Sequence, residues 1–395
     1  MHSPGGHPLT MGQLSIWRGL SVRPPEQMWE SNQDLVWSTP AGTTEEQARQ
    51  ALTALAVRHE SLRTVYRGAD DPSVVRQVVL RDPLVRFTEA SVRDPFDLAA
   101  QPAWRAWVRT PDEGGSPQVH VLIHHLAADG AAVRILESDF HLLLRGDRPA
   151  DAPAPREVAE RQRVDAFRAK LVAAGEYRRR IVAAAPKVAV TPGPLVRACA
   201  HTDIAHGAVQ DAARRLRVTL PTLLLTVYAQ ALAATTGQPD QLLWQLSSNR
   251  MDPTVRRLVS SMTQWVPMLA GGDPDGPLRP LARDINVAAV RALQHGVYDP
   301  YAVELADFDH GSFFTFIPAP ADAVPDSAPG EPEPGRIEFL APRAYSGPSF
   351  YVLARVYPRV QLIMRVMRSG YGRAEVERFL STMTDLLVRV VKDAA

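Results

Sequence analysis

Cysteine is almost absent from this chain. Only Cys199 carries a thiol among 395 residues, which excludes an internal disulfide and fits a reducing compartment. An excess of one charge sign is absent too: 44 basic and 43 acidic side chains leave a net charge of +1, so nothing global argues for nucleic acid. Lysine is scarce, and the arginines that stand in its place read as the mark of a GC-rich genome rather than a phosphate-binding surface. No apolar run reaches the roughly 18 residues needed to span a bilayer. The opening Met1-His2-Ser3-Pro4-Gly5-Gly6 lacks the basic-then-apolar order of a secretion signal. These absences predict a soluble, cytoplasmic protein that binds neither membrane nor nucleic acid. Single cores stop growing near roughly 250–300 residues, so a chain of this length should split in two.

What is present centres on Val121-Leu122-Ile123-His124-His125-Leu126-Ala127-Ala128-Asp129-Gly130. Residues 120–125 read as a buried strand, in which neighbouring side chains point to opposite faces. His124 and His125 therefore cannot both look into one cavity. After a short turn, Val133, Leu136, Phe140 and Leu143 follow at helical spacing towards Gly146, which puts Asp129 where an N-cap belongs. Three readings stand at this stage: core histidines with an ordinary cap, a metal site of two His and one Asp, or one His as general base with Asp129 holding the local fold. The opposite strand faces and the lack of HxH, HExxH or CxxC spacing disfavour the metal. An imidazole titrates near neutrality and can take a proton from an amine, alcohol or thiol.

The remaining segments read as follows. Pro8-Leu9-Thr10-Met11-Gly12-Gln13-Leu14-Ser15-Ile16-Trp17 is a turn into an amphipathic helix. Thr43 with Glu46 forms a capping box for a helix burying Leu52, Leu55 and Ala56, which runs into Arg58-His59-Glu60-Ser61-Leu62-Arg63, on its own a solvated helix end. Residues 74–80 are a strand, and 147–155 a linker rich in Pro, Ala and Asp. A polar helix contains Glu176-Tyr177-Arg178-Arg179-Arg180, whose arginines read as a solvated face or as a dock for an acidic partner. Thr219 and Pro221 start an apolar helix that ends at Gly237. A strand at 242–246 leads into Ser247-Ser248-Asn249-Arg250. Leu281, Ile285 and Ala289 line a further helix, 313–317 is a strand, and 318–335 is an exposed loop. Strands at 337–340, 350–357 and 360–366 precede a last helix that buries Val376, Phe379, Leu380, Met383, Leu387 and Val390.

His124-His125-Leu126-Ala127-Ala128-Asp129-Gly130 resembles the HHxxxDG signature of condensation domains of nonribosomal peptide synthetases, which is shared with chloramphenicol acetyltransferase-like acyltransferases. Other segments are similar to the family's motifs in the same order. Pro8-Leu9-Thr10 with Gln13 and Trp17 resembles the first, and Arg58-His59-Glu60 with Leu62 and Arg63 the second. Pro95-Phe96-Asp97-Leu98 with Arg105 resembles a PFDL…R segment. Residues 259–267 sit where the family has VGxFVNTxP, with Gln264 for the usual Asn and Trp265 for the usual Thr. Tyr298-Asp299-Pro300-Tyr301 resembles HQDxPFE loosely, and the aromatic-rich fourth motif is not found.

The resemblance implies an α/β fold of two chloramphenicol acetyltransferase-like subdomains forming a V, with the active site in a tunnel between them. The expected divisions are 1–165, a bridge at 166–189, and 190–395. It implies a free-standing condensation enzyme that transfers an acyl or aminoacyl group from a carrier-protein thioester to an amine, giving an amide. The alternatives are an ester-forming O-acyltransferase using carrier or coenzyme A thioesters, and a catalytically silent recruitment module of the same fold. His125 is then the catalytic residue facing the tunnel, and His124 packs behind it. Asp129 is structural and paired with Arg250, with Arg63 as second candidate partner; without the resemblance Arg250 reads equally as a strand-end arginine in water. Gly130 permits close approach at the helix start, and Trp265, Gln264, Ser312 and Thr315 line the tunnel. No metal or bound cofactor is expected. The implied partners are a carrier protein in trans, bearing phosphopantetheine, and a small amine or alcohol, met by a monomeric enzyme.

Overall fold

The structure is a computed structural model and describes residues 6–68, 74–83, 85–111, 115–188, 190–271, 273, 276–318, 335–341 and 347–393. The chain forms two units that are not contiguous in sequence. The first comprises Met1–Ala173, Ser248–Gln264 and Val297–Ala302, and the second Ala174–Ser247, Trp265–Gly296 and Val303–Ala395. The expected block 190–395 therefore gives up two pieces to the first unit. The reason is packing: Val259 joins the core of Trp37, Trp104 and Phe140, and Leu258 and Met262 pack with Val158.

In the first unit, α1 (Met11–Ser21) starts at Thr10, whose hydroxyl accepts the Gln13 N–H while the Gln13 side chain accepts the Thr10 N–H. β1 (Asn32–Ser38) follows, then α2 (Glu45–Arg58). The box that caps α2 is Thr44 with Gln47, one residue later than the Thr43–Glu46 pair read from sequence; the Thr43 hydroxyl donates instead to Pro40 O. A ribbon of β2 (Thr64–Arg67) and β3 (Arg76–Val79) precedes β4 (Trp104–Arg109) and β5 (Gln118–His124), and β5 is the centre of an antiparallel sheet ordered β1-β5-β4. Alternation sends Val119, Val121 and Ile123 into the core and puts His120, Leu122 and His124 on the other face. α3 (Gly130–Leu144) places Leu136 and Phe140 in that core, with Phe140 tilted against Trp37 at 5.4 Å. α4 (Pro155–Arg161) follows, and α5 (Asp165–Ala184) starts in this unit, its residues from Ala174 onward counting with the second.

The second unit is built on a seven-stranded mixed sheet ordered β10-β6-β12-β11-β9-β7-β8. Its strands are β6 (Pro192–Ala205), β7 (Asp240–Ser247), β8 (Gln264–Gly271), β9 (Ser312–Ile317), β10 (Ile337–Phe339), β11 (Phe350–Arg355) and β12 (Arg359–Arg368). β9 runs parallel to both β7 and β11, while β12 is antiparallel to β6 and β11. The helices are α6 (His206–Leu216), α7 (Leu220–Thr236), α8 (Leu278–Gln294) and α9 (Arg373–Asp393). α7 is apolar nearly all round and is accordingly buried, with Tyr228 against Phe314 and Phe379. Its cap is Thr219, and Gly237 ends it at φ +70°, a left-handed position that suits glycine. No single described helix is long and apolar enough to cross a membrane.

One expectation changes here. Arg178 is not part of a solvated face: its guanidinium lies over Trp244 at 4.5 Å and Phe308 at 4.2 Å and pairs with Asp307 at 3.2 Å, leaving Arg179 and Arg180 exposed. Aromatic faces attract a cation more strongly when water is excluded. The stretch 318–335, read as an exposed loop, lies outside the described residues over 319–334.

Gly12 in α1 lies so close to the 259–262 segment that an added Cβ would sit 2.5 Å from Met262 Cα and Ser261 O, whereas one at Gly19 would meet nothing within 4 Å. Gly12→Ala is therefore expected to lose about 1–3 kcal/mol in urea unfolding through overpacking. Gly19→Ala should gain up to about 1 kcal/mol from helix propensity. Equal effects of the two changes would contradict this packing.

Candidate active site

β5 ends in a knitted turn. The His124 N–H donates to Ala103 O (2.8 Å) and the His125 N–H to Ser31 O (2.6 Å), so both neighbouring strands fix the pair of histidines. The ring of His124 is buried, and its Nδ1 accepts the Leu126 N–H at 3.1 Å, which places its ring proton on Nε2. Phe96 meets this ring edge-on at 6.1 Å, and the Arg105 guanidinium covers Phe96 at 4.9 Å while donating to Pro95 O. The PFDL…R segment is thus the packing behind His124. His125 points to the other face and is half-buried, with Nδ1 3.3 Å from Ser261 Oγ.

Asp129 caps α3. Its Oδ1 accepts from Ala131 N (3.2 Å) and Ala132 N (2.9 Å), and its Oδ2 accepts from Arg250 Nη1 (2.7 Å) and Met262 N (2.8 Å). The carboxylate has no exposed surface. A buried charge is tolerated only when paired and fully hydrogen-bonded, and this one is. Arg250 also donates to Ser248 O, Leu258 O and Ser260 O, so one guanidinium ties down the excursion between β7 and β8. Asn249, at φ +54°, adds a bond from its amide to Met262 O.

Burial pushes the His124 imidazole down to about 3, and the neighbouring His125 ring and Arg23 act in the same direction. His125 is also lowered from its ordinary 6.5, chiefly by burial. Asp129 and a hydrogen bond from the ring to its own main chain oppose that shift, and Arg23 adds to it. Arg23 is held close by, donating to Ser31 Oγ at 2.6 Å. Both rings are neutral at pH 7.

A second buried carboxylate escaped the sequence reading. Asp139 of α3 accepts from His59 Nε2 (2.9 Å) and from Arg257, with Arg58 Nε at 3.4 Å. Burial would raise its pKa, yet hydrogen bonds from His59 and Arg257 hold it below the usual carboxylate value. The available signal was an acid on the apolar face of α3, beside Phe140. Arg58 and His59 are therefore part of a charge cluster around a buried acid rather than a solvated end, while Glu60 pairs with Arg156.

His124, His125, Asp129, Arg250 and Gln264 fall within the first unit. Gln264 is buried, donating to Ser15 Oγ and Tyr298 O and accepting from Asn249 and the Tyr298 N–H. Arg63 donates to Leu80 O and lies 3.9 Å from Glu60, so it is not the partner of Asp129. Gly130 is exposed, and a Cβ there would meet nothing within 4 Å, so no close approach of described residues requires it. Trp265, Ser312 and Thr315 belong to the second unit. Trp265 stands edge-on to Phe313 at 5.0 Å, Ser312 is buried along a cleft of about 250 Å³ shared with Leu242 and Arg368, and Thr315 is half-buried opposite Leu353. Among the described residues no cluster of three or more His, Cys, Asp or Glu could hold a metal ion.

The family model described as Condensation domain matches residues 7–307. Cyclosporin synthetase simA of Tolypocladium inflatum is 27% identical over 279 residues, covering 61% of this chain and 2% of that protein. Phosphinothricin tripeptide synthetase PhsC of Streptomyces viridochromogenes is 26% identical over 330 residues, covering 73% of this chain and 30% of its own length. The chain thus spans a small part of these relatives. Among solved structures, the condensation domain of chain release from the enacyloxin polyketide synthase superposes with a TM-score of 0.76 at 18% identity, covering 99% of this chain and 84% of that one. The condensation domain from the monacolin K polyketide synthase MokA gives 0.76 at 16% identity and covers 98% of both chains. These likenesses extend over both units and establish the mixed α/β fold.

Removing the carboxylate leaves a buried guanidinium and a bare helix start, so Asp129→Ala is expected to lose about 3–5 kcal/mol in chemical unfolding; an unchanged melting curve would contradict the ion pair. The folded His124 refuses a proton that the unfolded chain takes up below 6.5. Its contribution to stability is thus full above pH 6.5 and falls as pH drops towards about 3. Ring ¹⁵N spectra should still show a neutral His124 at pH 5, and a doubly protonated ring there would refute the burial.

Proposed function

We propose that this chain, which belongs to the condensation-domain family, transfers an acyl or aminoacyl group from a carrier-protein thioester to an amine. The observation that carries this reading is the intact His124-His125…Asp129-Gly130 constellation, with one imidazole packed away, the other half-buried, and the carboxylate pinned by Arg250. A damaged pair of histidines would favour mere recruitment of other enzymes; both rings are present and ordered by strand hydrogen bonds.

In this mechanism the amine nitrogen attacks the thioester carbonyl, the new C–N bond forms and the C–S bond breaks. His125, held below its ordinary 6.5 chiefly by burial and so neutral at pH 7, offers a ring nitrogen to the proton lost by the amine. That proton then passes to the departing phosphopantetheine thiolate. A ring held neutral is suited to accept a proton, and such help is worth about 10²–10⁴ in rate. The thioester arm belongs to the carrier, so the enzyme itself contributes no cofactor. Asp129 and Arg250 act on the fold and do not touch the reacting atoms.

The test is intact-mass spectrometry of acyl-loaded carrier proteins incubated with this protein and with amines or alcohols. The expected result is loss of the acyl mass from the carrier and its appearance as an amide; appearance only on alcohols would assign ester formation instead. His125→Ala should cost about 10²–10⁴ in kcat while staying folded, and full activity in that variant would end the assignment. Because His125 sits below its ordinary value, the acid limb of the kcat profile should lie below pH 6.5. A limb above 6.5 would contradict a desolvated ring.

A further inference from the structure

The second unit holds a cleft of about 250 Å³ that the proposed chemistry does not use. It lies between the end of α7, the starts of β7 and β9, and the turn after β12. Hydrogen bonds knit its walls: Trp244 Nε1 donates to His310 O (2.7 Å), Arg368 Nη2 to Gly311 O, and the Ser369 N–H to Thr191 O (2.8 Å). Gly311, at φ +80°, runs so near β7 that an added Cβ would sit 2.6 Å from Leu242 O. The Arg368 guanidinium is half-buried, stands over Phe350 at 5.4 Å and donates from Nε to Ser349 Oγ at 3.0 Å. Among the described residues its Nη1 has no partner and no carboxylate pairs with it. Asp240, the first residue of β7, is exposed and brings the cleft its one carboxylate, which is likewise unpaired among the described residues. Leu232, Leu242, Val188 and Val190 give the cleft its aliphatic lining.

We propose that this cleft binds a free aliphatic α-amino acid, its carboxylate on Arg368 and its ammonium on Asp240. Charge decides the class. A simple anion would meet Asp240 with the same sign, and a simple amine would meet Arg368 so. A ligand with both ends leaves neither group uncompensated. A guanidinium with a free N–H suits a carboxylate, and a carboxylate at the edge of the cleft suits an ammonium. Size narrows the choice further, because the volume lies below the roughly 300–1,000 Å³ of sites for drug-sized molecules. The aliphatic lining then favours a branched apolar side chain over a polar one. At about 3.3 Å per residue, β7 puts roughly 23 Å of strand between Asp240 and Ser247. The cleft shares no residue with the histidine site.

This site stands apart from the acyl-transfer reading, since binding is measured without turnover. Saturation-transfer NMR titrations of the full-length protein with leucine, isocaproate and isoamylamine compare three charge patterns on closely similar skeletons. Leucine is expected to bind, and the acid and the amine, each lacking one charged end, to bind at least about tenfold more weakly. Asp240→Asn should weaken leucine about ten- to hundredfold and tighten isocaproate, from which it removes a repulsion. Arg368→Gln should weaken both. Asp240 is exposed and makes no side-chain hydrogen bond among the described residues, so its variant decides the matter if the arginine variant fails to fold. Absence of leucine binding up to about 10 mM, tenfold above a millimolar Kd, would overturn the proposal. Leucine binding that Asp240→Asn leaves unchanged would overturn it as well, by placing the ligand elsewhere.

Discussion

The Asp129 carboxylate takes four hydrogen bonds from three stretches of chain: two amides of its own helix, the Arg250 guanidinium and the Met262 amide. Desolvating two ions costs several kcal/mol each, and what offsets that cost here is completeness rather than Coulomb attraction alone. The helix N-terminus contributes its positive end, the guanidinium contributes charge, and Arg250 in turn satisfies three carbonyls that would otherwise be stranded in a loop. The arrangement fixes where residues 248–262 run, and with them the wall against which the half-buried histidine rests.

The same helix holds that segment a second time. About three turns beyond Asp129, Asp139 accepts from Arg257, while His59 and Arg58 bring the end of α2 into the cluster. Two acids on one helix thus bind two arginines on one excursion. The division of labour is visible in the partners. Asp129 reaches the main chain next to the serine that touches His125, whereas Asp139 reaches α2 and the base of the unit. Gln264 closes the far end of the excursion by bridging Ser15, Asn249 and Tyr298.

How far this was legible depended on whether the cause was local. The alternation of β5, the N-cap of α3, the caps of α1 and α7 and the apolar stripe of α9 are written in neighbouring residues, and strand parity alone separated His124 from His125. The Asp129–Arg250 pair, whose members are 121 positions apart, came from the family resemblance; spacing alone left Arg250 equally a solvated arginine. Failures followed the same rule. Arg178 looked solvated because Trp244 and Phe308 are distant in sequence, and Asp139 went unread because its partners His59 and Arg257 lie 80 and 118 positions away. The capping box slipped by one residue because Thr43-Thr44-Glu45-Glu46-Gln47 offers two overlapping solutions. Contiguity was the natural assumption for domains, and the return of 248–264 to the first unit broke it.

That return sets an order of events during synthesis. The first unit cannot be finished when its own leading 173 residues have emerged, because Arg250, 121 positions after the Asp129 it neutralises, has still to be made. At about 5–20 residues per second the nascent chain waits for roughly 6–24 s with an acid at its heart uncompensated. Most of the second unit's sheet is still unmade when Arg250 arrives, since β9 to β12 all follow it. The N-terminal unit is thereby a late-maturing body, and a ribosome stalled between residues 173 and 250 would display a loosened form of it to proteases and chaperones.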